Sequence, residues 1–182
     1  GALIQKELQS TFEPEAAITA EFDRAEKQAI GQAVADTLRS GESVIFDSSS
    51  TVLAAARRCV ERKLALTAVT NDLGIGQRLA ASDAIRIVVL GGTLRVGSLT
   101  MVGEPGQAFL GNLNADVALI GTHALSGATL SETSMETAAM KRAMIAAARR
   151  VVLLADASKF RPAAFCRICD INAIHELVTE DR

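Results

Sequence analysis

The sequence predicts an α/β fold built on a mostly parallel sheet with helices on both faces. Short β-branched runs alternate with helical-period segments of about 10–15 residues, the pattern of successive βαβ units. The strand cores lack clean polar alternation, as strands covered on both faces do. The 182-residue chain is 49% apolar, yet it has no Trp or Tyr and only six Phe. Its core must therefore be Ala, Leu, Ile and Val, which suits close packing of helix on sheet.

Taken in order, EFDRAEKQAIGQAVADTLRSGES (21–43) reads as a helix. Asp23 can cap it with Glu26 three residues later, Ile30, Val34 and Leu38 fall on one face, and Gly41 ends it. SVIF is a strand and TVLAAARRCVERK (51–63) a second helix. LALTAVT (64–70) is a strand, followed by the helix-like NDLGIGQRLAASD, then the strand IRIVVL ending in Gly91-Gly92. TLRVGSLTMVG (93–103) alternates at period two around Gly97 and reads as a hairpin outside the main sheet. VALI is a strand ending in Gly121, METAAMKRAMIAAARR (135–150) a long helix, VVLLAD (151–156) a strand and HELVT a last one. No repeat, low-complexity tract or linker interrupts this order, and the first dozen residues fit no element.

Charge and composition exclude several functions. A net charge of −2 and a pI near 5.7 do not suit a segment that grips nucleic acid alone, because neutralising phosphates requires a basic face. Scarce aromatics argue against base stacking. No apolar run is long enough to span a membrane, and the N-terminus does not resemble a signal peptide. Cys59, Cys166 and Cys169 are no disulfide framework, so a cytoplasmic location is the default. Cys166 and Cys169 form one C-x-x-C, but a structural zinc site needs two further ligands and only His123 and His175 are available. These cysteines read as small residues near a surface loop or partly in the core, and neither a metal nor a cofactor is expected. G-x-x-x-x-G-K-[ST] is absent, no G-x-G-x-x-G follows a strand, and no Ser-His-Asp constellation is evident.

The polar residues gather just past the strands. VIF is followed by Asp47-Ser48-Ser49-Ser50-Thr51, AVT by Asn71-Asp72, VVL by Gly91-Gly92, ALI by Gly121-Thr122-His123, and VLLA by Asp156-Ala157-Ser158-Lys159. In open α/β sheets ligands bind along that carboxyl edge. The hydroxyls of Ser49, Ser50 and Thr51 stand at a helix start, where free N–H groups and the helix dipole favour an anion. Plain N-capping is the alternative, but one cap needs one hydroxyl. The other strand ends tip the reading toward a site. Arg95 and Lys141 could reach an anion or simply be solvated. Asp47 and Asp156 could act as acid–base groups, and Asp156 with Lys159 could be a surface pair.

In order, AEKQAIGQAVADTLRSGESVIFDSSST, VTND, VVLGGTLR with SLTMVG, ADVALIG and ETAAMKRAMIAAARRVVLLADASKF resemble the effector-sensing domain of DeoR-family bacterial transcription regulators. The resemblance covers roughly residues 22 to 180. It implies a fold related to ribose-5-phosphate isomerase, glucosamine-phosphate deaminase and CoA transferases, and a phosphorylated sugar or related metabolite as effector. The family's Asp-Ser-Gly-Thr-Thr loop falls on Asp47, Ser48, Ser49, Ser50 and Thr51, and its Thr-Asn pair on Thr70 and Asn71. Its Gly-Gly falls on Gly91 and Gly92, with the basic residue at Arg95. The helix lysine falls on Lys141 with Glu136 one turn before it, and Asp-x-Ser-Lys-Phe falls on Asp156, Ser158, Lys159 and Phe160.

The chain departs from the family at Ser49, usually glycine, and at Ser50, often threonine. Ser49 would restrict the loop if its φ were positive. THALSGATL (122–130) lacks the expected glycine-rich pattern, with Ala124 at an expected glycine position. The resemblance also implies an N-terminal winged helix-turn-helix upstream. Residues 1–21 then read as the remnant of a linker and 22–182 as a sensing domain that reaches operator DNA only through that other domain and works as a homo-oligomer. A sugar-phosphate isomerase or deaminase using the same cleft is the enzymatic alternative, and a dimerisation scaffold with a vestigial pocket the blandest.

Overall fold

The computed structural model describes residues 24–180, so Asp23, the expected cap, and the expected linker over 1–21 lie outside the described residues. The elements are α1 (Arg24–Thr37), β1 (Ser43–Phe46), α2 (Ser50–Glu61), β2 (Leu66–Thr70), α3 (Leu73–Leu79), β3 (Ile85–Val89), β4 (Thr93–Leu94), β5 (Met101–Val102), α4 (Gly106–Leu110), β6 (Ala115–Ile120), β7 (Ala124–Ser126), β8 (Thr129–Glu132), α5 (Met135–Ala146), β9 (Ala148–Leu154), β10 (Cys166–Asp170) and β11 (Glu176–Val178). Six strands form one parallel sheet in the order β11-β9-β6-β1-β2-β3. A second, antiparallel sheet has the order β10-β8-β7, and β4 with β5 forms the expected hairpin.

The two-residue period of the strands sorts the core. Val44 and Phe46 of β1 and Val117 and Leu119 of β6 pack with Ile30 and Val34 of α1 and with Val52, Ala55 and Cys59 of α2. Ile45, Ala118 and Ile120 turn to the other face, against Met140 and Met144 of α5 and Leu110 of α4. Both faces of the central strands are thus covered, which explains their unbroken apolar runs. Helix α1 lies directly on α2: a Cβ on Gly31 would come 2.6 Å from both Ala54 Cβ and Ala55 N. Burial pushes the Cys59 thiol between them up to about 12.

One expectation is corrected. The long helix was expected through Arg150, but α5 ends at Ala146 and β9 begins at Ala148. The ladder to β6, with Ala115 opposite Ala148 and Val117 opposite Arg150, overrides the helical propensity of the alanines. THALSGATL, to which the sequence assigned no element, forms the β7–β8 hairpin around Gly127, whose φ is +56°. FCRIC supplies β10, which pairs with β8 across a bulge between Arg167 and Cys169, and of its two expected placements the second holds: Cys166 and Cys169 pack partly buried against the core. Among the described residues no group of three or more His, Cys, Asp or Glu could hold a metal ion. No helix there is long and apolar enough to cross a membrane.

Candidate functional site at the carboxyl edge of the sheet

Adjacent strands β2, β1, β6 and β9 deliver Asn71, Asp47, Gly121 and Asp156 to one edge of the sheet. Three inter-strand spacings separate the first from the last, about 14 Å in all. Asp47 is 1% exposed. Its Oδ2 accepts from Gly121 N at 2.9 Å and from Lys141 Nζ at 2.5 Å, while its Oδ1 has no partner. Asn71, equally buried, donates from Nδ2 to Met101 O at 2.9 Å and leaves Oδ1 unpaired. Asp156 Oδ1 accepts from Ser158 N at 3.0 Å and from the Ser158 hydroxyl, while Oδ2 is unpaired. A buried acceptor without a donor costs about 1–3 kcal/mol, so three along one edge are a standing demand for donors.

The loop after β1 runs into α2. Ser49 is the N-cap, with φ −144° and its hydroxyl accepting from Thr51 N. Its backbone is extended, so the loop needs no glycine for conformational reasons. The room for its side chain comes from opposite: a Cβ on Gly121 would sit 2.6 Å from Ser49 Cβ and Oγ. Ser49 is thus the plain cap, and the partly exposed Ser48 and Ser50 are not needed for that task. Thr51, in the first turn of α2, is 2% exposed.

Lys141, from α5, is 3% exposed. Its three donors meet Asp47 Oδ2, Gly121 O at 2.8 Å and Glu132 Oε1 at 3.2 Å. An ammonium has three donors, so Lys141 is saturated inside the fold. Burial pulls its pKa down, but the charges of Asp47 and Glu132 prevail and raise it above the ordinary lysine value. Lys159 differs, because burial lowers its pKa, Asp156 opposes this, and Arg161 and Lys27 add to the lowering. Arg161 donates from Nε to His123 O at 2.9 Å, and Lys27 is a buried lysine of α1. Lys27, Lys159 and Arg161 thus gather around Asp156 and Glu132.

The remaining predicted residues divide. Thr70 is fully buried, donating to Phe46 O at 2.8 Å and accepting from Asp72 N, so it ties the end of β2 to β1. Asp72 caps α3 through Ile75 N and accepts from Thr100 of the hairpin, and burial raises its pKa. Gly91 is exposed and lies against Pro105, while Gly92 has φ +150° and leaves a Cβ only 2.5 Å from Val102 O, so this pair shapes the entry to the hairpin. Arg95, on the hairpin, is close enough to α5 to lower the carboxyl pKa of Glu136, behind Glu136's own N–H and the Ser134 hydroxyl. Glu136 itself is exposed. The residue four before Lys141, on the same helical face, is Thr137.

Sequence reasoning missed Glu132, Arg161, Lys27 and Thr137. Glu132 sits on a hairpin not read as strand, Arg161 lies just past the Asp156 block, and Lys27 looked like a solvated helix lysine. Thr137 had a signal, since helical spacing alone puts it in line with Lys141.

A parallel α/β sheet whose carboxyl edge carries buried, unpaired polar atoms beside a helix N-terminus is a fold shared by enzymes and sensors. The chain belongs to the DeoR C terminal sensor domain family, whose sequence profile matches residues 23–181. It is 32% identical over 155 residues to the HTH-type transcriptional repressor GlcR of Bacillus subtilis (strain 168), covering 85% of this chain and 59% of that one. It is 29% identical over 162 residues to the glycerol-3-phosphate regulon repressor of Haemophilus influenzae, covering 88% of this chain and 63% of the relative. The chain therefore spans roughly three fifths of both repressors. Its fold is shared with ribose 5-phosphate isomerase A from Neisseria gonorrhoeae, at a TM-score of 0.54 and 16% identity over 74% of this chain and 52% of the isomerase.

Proposed function

We propose that this chain is the sensing part of a bacterial transcriptional regulator and binds a phosphorylated sugar or related metabolite without converting it. One observation carries the reading: Asp47 Oδ1, Asn71 Oδ1 and Asp156 Oδ2 are buried and unpaired along one edge. A ligand rich in hydroxyl donors would satisfy all three. Its phosphate would rest on the N-terminus of α2, on Ser48, Ser50 and Thr51, with Lys159 as the counter-charge. Lys141, with its donors already used, would hold Asp47 in place rather than touch the phosphate. Arg95 would close the hairpin over the ligand, while Gly91, Gly92, Thr70 and Glu136 would serve as frame.

Repressor function in the relatives supports a switch read out through a winged helix-turn-helix domain outside this chain. The ligand must then bind two arrangements of a homo-oligomer unequally. The isomerase reading draws on the shared fold alone. It would need a group free to move a proton; Lys141 is held as an ammonium by two carboxylates and a carbonyl, which leaves the unpaired oxygens of Asp47 and Asp156, assigned here to ligand hydroxyls.

Calorimetry with ribose 5-phosphate, glucose 6-phosphate, fructose 6-phosphate and sn-glycerol 3-phosphate tests the assignment. At least one should bind wild-type protein, and Ser50→Glu should abolish that binding while leaving the unfolding midpoint within a few degrees. Unchanged affinity in Ser50→Glu would refute the phosphate loop. Turnover of any of these compounds, or release of ammonia from glucosamine 6-phosphate, would refute the sensor reading.

A further inference from the structure

Helix α5 begins at the carboxyl edge of the sheet and runs back toward the start of β9. Lys141 lies level with the strand ends, because its ammonium reaches both Asp47 and Gly121 O. Thr137 is four residues earlier, about 6 Å along the helix axis toward its N-terminus. Its side chain leans toward the helix N-terminus, as all helical Cα–Cβ bonds do. Thr137 thus lies on the face of α5 from which Lys141 reaches the strand ends, on the N-terminal side of Lys141. Thr137 is 7% exposed, and its hydroxyl is buried with no hydrogen-bond partner. A mid-helix threonine can ordinarily bond the carbonyl four residues back. That carbonyl here is Thr133 O, and Thr137 Oγ1 does not use it.

We infer that Thr137 is a ligand-contacting, specificity-determining residue, and that it meets the uncharged, hydroxyl-bearing end of a phosphorylated sugar. The inference rests on the sensor reading and adds to it. A hydroxyl both donates and accepts, so Thr137 suits a sugar hydroxyl or carbonyl oxygen equally. The other unpaired atoms of the edge, Asp47 Oδ1, Asn71 Oδ1 and Asp156 Oδ2, only accept, and two are carboxylate oxygens.

The test uses Thr137→Val, which is nearly isosteric, and Thr137→Ser, which keeps the hydroxyl. Removing an unpaired buried hydroxyl costs the empty protein nothing, so Thr137→Val should unfold at the wild-type temperature or slightly above it. Its affinity for whichever probe among ribose 5-phosphate, glucose 6-phosphate, fructose 6-phosphate and sn-glycerol 3-phosphate binds wild type should fall about 5–10-fold, the worth of one neutral hydrogen bond. Thr137→Ser should stay within about 3-fold of wild type. Unchanged affinity in Thr137→Val, with a lowered unfolding temperature, would make Thr137 a purely structural residue and overturn the inference. The two readings fail separately: no probe binding to wild type removes the sensor reading and this inference with it, whereas binding blocked by Ser50→Glu but untouched by Thr137→Val removes this inference alone.

Discussion

Lys141 shows how much of the edge depends on one charge. Its ammonium compensates two carboxylates, Asp47 and Glu132, that are each less than a tenth exposed. Removing the cation and leaving the acids is the costly way to break such a group, so Lys141→Met should lose about 3–5 kcal/mol in urea unfolding at pH 7. The pH dependence of wild type follows from the raised lysine pKa. The contribution is fully present below the unfolded lysine value of about 10.4 and is lost only as pH rises through the higher folded value. The difference between wild type and Lys141→Met should therefore be level from pH 7 to 9 and shrink in strongly alkaline solution. A lysine on an alanine-rich helix looked in the sequence like a solvated or phosphate-reaching cation. Its partner Glu132 comes from a hairpin whose β period was too short to read, and buried ion triads leave no mark in local spacing.

At the scale of elements, the α1–α2 contact is the most exacting. Gly31 brings the backbone of one helix onto Ala54 and Ala55 of the other. Gly31→Ala adds one methyl group where none fits, and the helices must part. The gain in helix propensity, about 1 kcal/mol, should be outweighed by overpacking of about 1–3 kcal/mol. A lower denaturation midpoint for Gly31→Ala would bear this out, and a higher one would mean that α1 can shift freely. Elements of this kind were legible. Ile30 and Val34 announced the buried face of α1, SVIF marked β1, and period two around Gly97 marked the hairpin. The α5–β9 boundary was not legible, because Ala148 to Arg150 favour helix locally and become strand only through the partner Ala115–Val117. The small sheet was hidden for the same reason: β10 is a strand because β8 lies beside it.

Across the whole molecule, protection should follow the layers. Strands β1 and β6 lie mid-sheet with both faces packed, whereas β11 is an edge strand of three residues and β4–β5 a hairpin of two-residue strands. Hydrogen exchange should be slowest at Val44–Phe46 and Val117–Ile120 and fastest at residues 93–102 and 176–178, because local opening follows packing. Early exchange of β1 would contradict the layered core. The edge where Asp47, Asn71 and Asp156 meet was foreshadowed by the succession of polar strand ends, since topology carries every parallel strand's end to the same side. Which atoms there stay unpaired could not be read from the chain, because pairing is a property of three-dimensional neighbours such as Met101 and Ser158.

The serine that replaces the family's glycine at position 49 has a consequence away from its own loop. Ser49 fits only because Gly121, seventy-two positions along the chain (121 − 49), presents no side chain to it. The two positions form a single unit of variation. A chain with glycine at 49 is free to accept alanine at 121, and a chain with serine at 49 is not. Lineages that carry the longer residue in the loop should therefore have become locked at the end of β6, with the substitution recorded as a lost freedom in a different strand.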